Sequence, residues 1–262
     1  MHPVRWTWLL PIVAGAVALW VVVARPDPAP VRAATDVEVA TFVAADSSGN
    51  GHEGIIQGPV EMGLPGHDGT AFSFAERGSW VMVPSSPELN AGTGNFLITT
   101  WIQVDSNPDS GETYDVVRKG IAYTVPGEYR LELLGSGRVR CTAKDSENRF
   151  ATVVSQQPLE GDATWHRIGC ARTGNHWSVL VDETVRTTEV DLGAVSNTVA
   201  LAIGSKYGLE DRPLGLVDDV QLVIDRSGGV TDDPVAAIRD LEETPPIAWW
   251  RLDESASPDA SR

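Results

Sequence analysis

The chain has 262 residues, a formal net charge of −16 at pH 7 and a pI of about 4.6. Such an excess of carboxylates repels phosphate groups, so it argues against nucleic acid or an anionic lipid surface as a partner. Hydrophobic residues make up 42% of the chain, which is enough for one domain with a substantial core.

The N-terminal residues predict export. The run from Trp6 to Ala24 carries no charged residue, and it is about as long as the ~20 residues that span a bilayer. Residues 1–24 are therefore either a signal peptide, cleaved after the small residues that end at Ala24, or an uncleaved membrane anchor. Both interpretations place the rest of the chain outside the cell, secreted or tethered to the outer face of the plasma membrane.

A proline-rich linker follows at residues 25–35. In Arg25-Pro-Asp-Pro-Ala-Pro30 the prolines alternate with other residues, a pattern that favours the extended polyproline II conformation. We interpret the linker as a tether between the membrane and the folded body. The predicted folded domain covers residues 36–225, and a tail covers residues 226–262.

Strand patterns dominate the predicted domain. Short runs of apolar, β-branched and aromatic residues recur between glycine-rich turns such as Gly49-Asn50-Gly51. Many short strands at this spacing predict an all-β, antiparallel sandwich or jelly roll. The clearest runs are Trp80–Val83, Phe96–Val104, Trp177–Val181, Val199–Ile203 and Leu216–Ile224.

The two cysteines each end a run with strand periodicity. Cys141 closes Gly137–Cys141, and Cys170 closes Thr164–Cys170. Two such strands paired side by side would bring the sulfur atoms within reach of one disulfide, which persists in the oxidising compartment outside the cell. The alternative is two unrelated buried thiols.

The tail combines one helical pattern with a strand pattern. Asp232–Glu243 carries Pro234 near its first turn and regularly spaced apolar residues, so it predicts the one short C-terminal helix. Further on, Ala248–Glu254 looks like the opening strand of another domain of the same kind. Either this is a truncated second repeat, or it supplies an outer strand to the first domain's sheet.

The residues resemble the laminin-G-like, concanavalin A-like lectin/glucanase jelly-roll domains, in particular secreted actinobacterial members. The resemblance rests on seven motifs in the expected order across residues 37–225, none of them specific alone. It implies a concanavalin A-like jelly roll, to which we add an N-terminal hydrophobic helix. The motifs are Asp46–Gly54, Gly69–Phe74, Trp80–Leu89, Phe96–Ile102, Val116–Gly120, Trp165-His166 and Gly215–Val220.

The glucan-cleaving relatives use three carboxylates on one strand, so that nucleophile and acid/base flank one glycosidic bond. Here Glu160-Gly-Asp162 and Glu189-Val-Asp191 give only the first half of that pattern. Other catalytic motifs are also absent from the sequence, and His166 is interpreted as a structural residue beside its neighbouring tryptophan. The sequence therefore predicts no catalytic residues.

One glycine-rich turn has the composition of a calcium site. Asp46-Ser-Ser-Gly-Asn50-Gly51 places oxygen ligands at alternate positions, as calcium-binding loops do. The resemblance brings this turn near Asp218 and Asp219, so Asp46, Asn50, Asp218 and Asp219 are the candidate metal ligands, with Ca²⁺ as the candidate cofactor. The alternative is a plain turn whose side chains cap their own backbone amides.

Tryptophan side chains are the other feature expected of a sugar-binding surface. We interpret Trp80, Trp101, Trp165 and Trp177 as core residues, since they lie inside strand patterns. Trp249 and Trp250 are adjacent, so a strand sends them to opposite faces.

We therefore interpret the chain as a non-catalytic extracellular binding or adhesion module. Its expected partner is a glycan or another cell-surface macromolecule. The alternatives are a glycan-active hydrolase of the same superfamily and a structural surface domain without a ligand.

Overall fold

The computed structural model describes residues 41–121, 127–159, 161–209, 211–227 and 232–255. These residues form an antiparallel β-sandwich with one α-helix, α1, at Pro234–Glu242. The predicted segments 1–24 and 25–35 lie outside the described residues, as does most of the tail beyond Glu254. The strands are β1 (Val43–Ala44), β2 (Gly54–Gln57), β3 (Glu61–Pro65), β4 (Thr70–Ser73), β5 (Trp80–Val83), β6 (Asn95–Val104), β7 (Thr113–Lys119), β8 (Glu128–Leu134), β9 (Arg138–Lys144), β10 (Phe150–Pro158), β11 (Trp165–Thr173), β12 (His176–Val181), β13 (Thr184–Glu189), β14 (Leu201–Ile203), β15 (Gly215–Asp225) and β16 (Ala248–Trp250).

The strands pair into two sheets. The first sheet has the order β1-β2-β5-β14-β7-β8-β9-β10, and the second has the order β13-β12-β11-β6-β15-β4-β3. β16 pairs with β15 in the second sheet. The predicted all-β jelly-roll class is confirmed, and the predicted strand runs coincide with β5, β6, β12, β14 and β15 to within two residues.

The core lies between the two sheets. Alternate residues of each strand point inward, as the two-residue period of a strand requires. In β6 these are Phe96, Ile98 and Ile102, and in β8 they are Leu131 and Leu133, all of them buried.

A disulfide joins the two sheets through the core. Cys141 on β9 is bonded to Cys170 on β11, with their Cα atoms 5.1 Å apart. The predicted bond is confirmed, but the prediction that the two strands lie side by side is wrong. β9 and β11 belong to facing sheets. Both cysteines occupy inward positions of their strands, so their sulfur atoms meet in the core.

Helix α1 covers one half of the outer face of the second sheet. The side chain of Asp233 accepts hydrogen bonds from the backbone N–H groups of Val235 and Ala236, which caps the helix start. Ile238 and Leu241 are buried against outward residues of the sheet. The sheet residues that the helix covers are Leu97, Ala171, Leu180 and Val223.

The tail strand belongs to the sandwich. In β16 the residues Ala248, Trp249 and Trp250 pair with Leu222, Gln221 and Val220 of β15. Of the two interpretations of the tail, the structure therefore shows a strand added to this domain's own sheet. The boundaries predicted at residues 36 and 225 stay predictions.

The outer face of the first sheet carries a buried network of charges. Arg118 on β7 forms an ion pair with Asp115, and its second terminal nitrogen lies 3.7 Å from Glu128 Oε2. Glu132 on β8 accepts a 2.7 Å hydrogen bond from Arg140 Nε. Burial raises the pKa of Asp115 to about 7, although the Arg118 charge opposes that shift.

None of the helices in the described part of the chain has the length and apolar character needed to cross a membrane.

Candidate functional site

Three indole rings occupy the half of the outer face of the second sheet that α1 leaves uncovered. In β6, Trp101 alternates with the inward residues Ile98 and Ile102 and is half-buried. In β11, Trp165 lies on the same outer face, since it alternates with the inward pair Ile168 and Cys170. We call Trp101, Trp165, Trp249 and the imidazole of His67 the aromatic face.

The strand register places these rings next to one another. Arg167 of β11 lies directly opposite Trp101 of β6, so Trp165 is the diagonal neighbour of Trp101. Diagonal Cα atoms in antiparallel pairs are ~7–8 Å apart, which is within reach of aromatic side chains. Trp249 lies two strands away from β6, on β16 beyond β15. The rings therefore cross the sheet from β11 to β16.

His67 completes the aromatic face from the turn between β3 and β4. Its imidazole stacks on the Trp101 indole with the ring centres 3.5 Å apart and the planes 10° from parallel. It also meets Trp165 edge-on, at 6.3 Å between ring centres. The exposed ring of His67 thus lies on top of one indole and beside another.

A buried carboxylate fixes the position of His67. Asp218 of β15 is fully buried, and its Oδ2 accepts hydrogen bonds from the backbone N–H groups of His67 at 2.8 Å and Asp68 at 3.1 Å. Its other oxygen has no hydrogen-bond partner among the described residues. Burial raises the pKa of Asp218 to about 6, against the lowering effect of the two N–H donors.

Charged groups surround Trp249 at the far side of the aromatic face. The Arg251 guanidinium lies 5.4 Å from the centre of the Trp249 ring, a cation–π distance. It is shared between Asp68, at 3.3 Å, and Asp253, at 3.0 Å. The Trp249 indole N–H donates a hydrogen bond to Asp219. These contacts hold the indole in place on the sheet surface.

The four predicted metal ligands are not brought together. The prediction placed the Asp46 turn against Asp218 and Asp219, but Trp250 pairs with both Asp46 and Val220, so β16 lies between them. The prediction placed the Asp46 turn beside β15, but in the structure β16 pairs with that edge of β15.

The oxygens of these residues already have protein partners. Asp46 accepts backbone N–H groups of Ser48, His52 and Trp249, and these hydrogen bonds lower its pKa although burial opposes them. The Asn50 side-chain amide donates to the carbonyl oxygen of Ile247. Within the described ranges, no group of three or more His, Cys, Asp or Glu side chains could hold a metal. This geometry does not fit a shared calcium cage, and calcium binding stays a prediction.

The structure describes only part of the first Glu-x-Asp triplet and all of the second. Glu160 lies outside the described residues, and Asp162 accepts hydrogen bonds from the Thr164 hydroxyl and backbone N–H. Glu189 ends β13 beside Asn175, and Asp191 is exposed in the following loop.

His166 takes part in a chain of hydrogen bonds that resembles a catalytic triad. Its Nδ1 lies 3.0 Å from Asp182 Oδ2, and its Nε2 lies 3.0 Å from the Thr164 hydroxyl. However, the Thr164 hydroxyl donates its hydrogen to Asp162. A nucleophile would need to give that hydrogen to the imidazole. These hydrogen bonds therefore hold the start of β11 to Asp182, between β12 and β13.

Of the four tryptophans that the strand patterns predict to lie in the core, only Trp177 does so. Trp177 is 1% exposed, whereas Trp80, Trp101 and Trp165 are half-buried on outer faces. The signal was present in the strand phase, because Trp101 is out of step with the apolar positions of its own run. The expectation that Trp249 and Trp250 face opposite ways is confirmed, since Trp250 is fully buried.

The solved structures with a similar fold include two binding domains. The binding domain of Paraclostridial Mosquitocidal Protein 1 is 14% identical, with a TM-score of 0.52 over 70% of this chain and 46% of that one. The binding domain of botulinum neurotoxin DC, solved in complex with SialylT, is 13% identical, with a TM-score of 0.51 over 73% and 47%. The chain thus spans about half the length of these structures, and at this identity the likeness shows the fold alone.

A further structural neighbour is botulinum neurotoxin type C, whose cell entry depends on interaction with two ganglioside molecules; it is 11% identical, with a TM-score of 0.50 over 74% of this chain and 47% of that one. No curated protein sequence matches the chain. The model of the laminin-G-like family in the concanavalin A-like lectin/glucanases superfamily matches residues 74–225. The chain belongs to this laminin-G-like family.

Proposed function

We propose that the folded domain is a non-catalytic, extracellular module that binds a glycan through the aromatic face. The observation that carries this proposal is the set of three half-buried indoles and the exposed His67 ring on the uncovered half of the second sheet. Flat aromatic rings give a pyranose a large apolar contact area, and the N–H groups of tryptophan add hydrogen-bonding capacity.

The aromatic face is held in place before any ligand arrives. The backbone of His67 is fixed by the buried Asp218, and Trp249 is held by Asp219 and Arg251. A site that is already ordered loses little side-chain entropy on binding, which leaves more of the contact energy for affinity.

Polar side chains between the rings can supply the directional contacts. Gln103 lies directly opposite Trp165, and Gln221 lies directly opposite Trp249; both amide side chains are partly exposed on the outer face. The Gln103 amide offers donors and an acceptor to sugar hydroxyl groups. The Gln221 amide nitrogen donates to the Asp219 carboxylate, so Gln221 offers its oxygen as an acceptor. The combination of apolar rings with a few polar groups is typical of small-molecule sites.

The structural neighbours support this proposal indirectly. Two of them are described with SialylT or with gangliosides, which are glycan ligands. The membership of a lectin/glucanase superfamily agrees with a glycan partner but does not select between binding and cleavage.

A glycan array with the full chain, purified in a mild detergent, tests the proposal. We expect at least one glycan to bind, and Trp165→Ala to lose that binding. Trp80→Ala is the matched control, because Trp80 is also half-buried but lies on the outer face of the first sheet. An array without any bound glycan contradicts glycan recognition, and equal binding by both variants contradicts the aromatic face as its site.

The second candidate function is glycan hydrolysis, and one cleft favours it. A cleft of about 410 Å³ at one end of the sandwich is lined by Asp109, Glu112 and Asp211, with Tyr114 and Arg212 beside them. Glycosidases need two carboxylates across such an opening. Release of reducing sugar from polysaccharides, and its loss in Glu112→Gln, would establish the hydrolase and exclude the non-catalytic proposal.

Export stays part of the proposal. The predicted signal peptide or anchor at residues 1–24 lies outside the described residues. The Cys141–Cys170 disulfide supports an oxidising compartment, because such bonds are rare in the cytosol.

A further inference from the structure

The three indoles of the aromatic face form a diagonal row across the second sheet. Trp165 lies level with Gln103, two residues beyond Trp101 on β6. Trp249 lies level with Thr99, two residues before Trp101, through the register of β15. With ~3.3 Å per residue and ~4.8 Å between neighbouring strands, the row is about 20 Å long from end to end. This length is several times the width of one pyranose ring, so the row fits an oligosaccharide better than a single sugar.

Carboxylates border the row at the end that Trp249 occupies. The side chain of Asp68 is 79% exposed, and it faces the exposed Asp253 across the Arg251 guanidinium. On β15, the Asp219 carboxylate accepts the indole N–H of Trp249. A ligand that lies along the row therefore meets carboxylate oxygens at this end.

The buried Asp218 shows that these carboxylates act on one another. Burial raises the pKa of Asp218, the backbone N–H donors of the His67 turn lower it, and the charges of Asp219 and Asp253 raise it further. One oxygen of Asp218 is buried without a hydrogen-bond partner among the described residues. The surface beside the row thus has a negative potential.

Both arginines that flank the row are already paired with carboxylates. Arg167, directly opposite Trp101 in the strand register, donates a 2.7 Å hydrogen bond to Glu242 of α1. Arg251 is shared between two aspartates. A carboxylate on a ligand would have to displace one of these partners, and it would remain close to the others.

We propose that the aromatic face selects uncharged oligosaccharides and rejects those that carry a carboxylate, such as sialic or uronic acids. The inference rests on the proposed glycan function and adds the length and the charge of the ligand to it. Sugar hydroxyl groups can donate hydrogen bonds to the carboxylates beside the row, which accept only. A ligand carboxylate is repelled by the same groups, and like charges across an interface suppress wrong partners.

A glycan array of matched pairs, probed with the full chain in mild detergent, tests this inference. The pairs are lactosamine oligosaccharides with and without sialic acid, xylo-oligosaccharides with and without glucuronic acid, and galacturonic acid oligomers as the methyl ester and the free acid. In each pair that binds, we expect the neutral member to bind about tenfold or more tightly, which corresponds to ~1.4 kcal/mol. Methyl esterification of a bound sialic or glucuronic acid should recover the binding, since it removes the charge and keeps the sugar.

A pair of charge variants locates the selectivity on the molecule. Asp68→Asn removes one carboxylate from the row and frees Arg251 from one partner, so the ratio of neutral to carboxylated binding should fall by up to about fivefold. Glu147→Gln is the matched control. It removes the same charge from a side chain that is 73% exposed and lies 3.6 Å from Arg149, between β9 and β10 of the first sheet. This control should leave the ratio unchanged.

Three results have distinct meanings. Equal or tighter binding of the carboxylated members overturns the selectivity and leaves the glycan function standing. A ratio that Asp68→Asn does not change, or that Glu147→Gln changes equally, also overturns the inference, because the preference then comes from the net charge of the chain. An array without any bound glycan contradicts the proposed function, and the inference fails with it.

Discussion

The outer faces of the two sheets differ in the side chains that they carry and in how far those side chains are buried. On the first sheet, Asp115, Arg118 and Glu128 are almost fully buried and face one another. On the second sheet, the aromatic face is left partly open beside α1. Buried charges need partners to be tolerated, whereas half-exposed indoles gain from being covered. The charges of the first face are paired with one another, whereas the second face is the surface that the proposed function uses.

The largest expected effect comes from breaking the charged network of the first sheet. Arg118→Met leaves the Asp115 and Glu128 carboxylates buried without their cation, and we expect the free energy of unfolding to fall by about 3–5 kcal/mol. Chemical denaturation measures this loss. Arg251→Met on the aromatic face is the control, since Arg251 is 42% exposed and surface pairs contribute under ~1 kcal/mol. Equal losses in the two variants would contradict the contrast between the faces.

The second effect concerns the bond that joins the two sheets. Replacing Cys141 and Cys170 by alanine opens a loop of sequence separation 29, for which the chain-entropy model gives a loss of about 3–4 kcal/mol. The aromatic face lies on the opposite side of its sheet from Cys170, so glycan binding by the molecules that remain folded should be unchanged. A double variant as stable as the native chain under oxidising conditions would show that the bond contributes little.

The third effect is a pH dependence of stability to which each face contributes one carboxyl group. The pKa of Asp115 is raised from 3.8 to about 7 in the fold, so the folded state keeps a proton that the unfolded state releases in this range. The resulting stability is fully present below pH ~4, and it is lost as the pH rises towards 7. We expect Asp115→Asn to remove this decline. Thermal unfolding midpoints between pH 4 and 8 measure it.

Asp218 gives the matching experiment on the second sheet. Its pKa is raised from 3.8 to about 6, so Asp218→Asn should also remove part of the decline in stability between pH 4 and 8. The sign is the same for both groups, because both favour the protonated form in the fold. Identical pH profiles for the two variants and the native chain would show that neither carboxyl group has the shifted pKa.

The smallest effect on stability is expected at the aromatic face itself. Trp165→Ala removes a half-buried ring and should lower the free energy of unfolding by about 1 kcal/mol or less. Trp177→Ala is the contrast, because Trp177 fills the core at 1% exposure and its loss should cost about 3–5 kcal/mol. Chemical denaturation and glycan binding are measured for both variants. The two measurements together separate the structural from the functional tryptophans.

The strand order along the chain and the cysteine pairing could be read from residue patterns. β6 and β15 follow the two-residue period of buried strands, and this local signal predicts each strand together with its inward face. Trp101 lies at an outward position in the alternation of β6. This local signal places its ring outside the core and predicts part of the aromatic face.

Residue patterns could not predict contacts between distant segments. His67 reaches Trp101 because Asp218, far along the chain, binds the backbone of its turn. The calcium prediction joined Asp46 to Asp219 because nothing local shows that Trp250 comes between them. Glu128 and Glu132 lie on β8 beside buried apolar residues, and the packing around the first sheet buries these two carboxylates as well.

The sequence by itself determined the all-β class and the two cysteines of the disulfide, because side-chain alternation is a property of the local backbone. Only the tertiary structure decided that the disulfide crosses the sandwich, that β16 completes the second sheet and that α1 leaves the aromatic face open. Those outcomes depend on which edges and faces remain unpaired once the other strands have packed, and that competition for burial is settled over the whole domain.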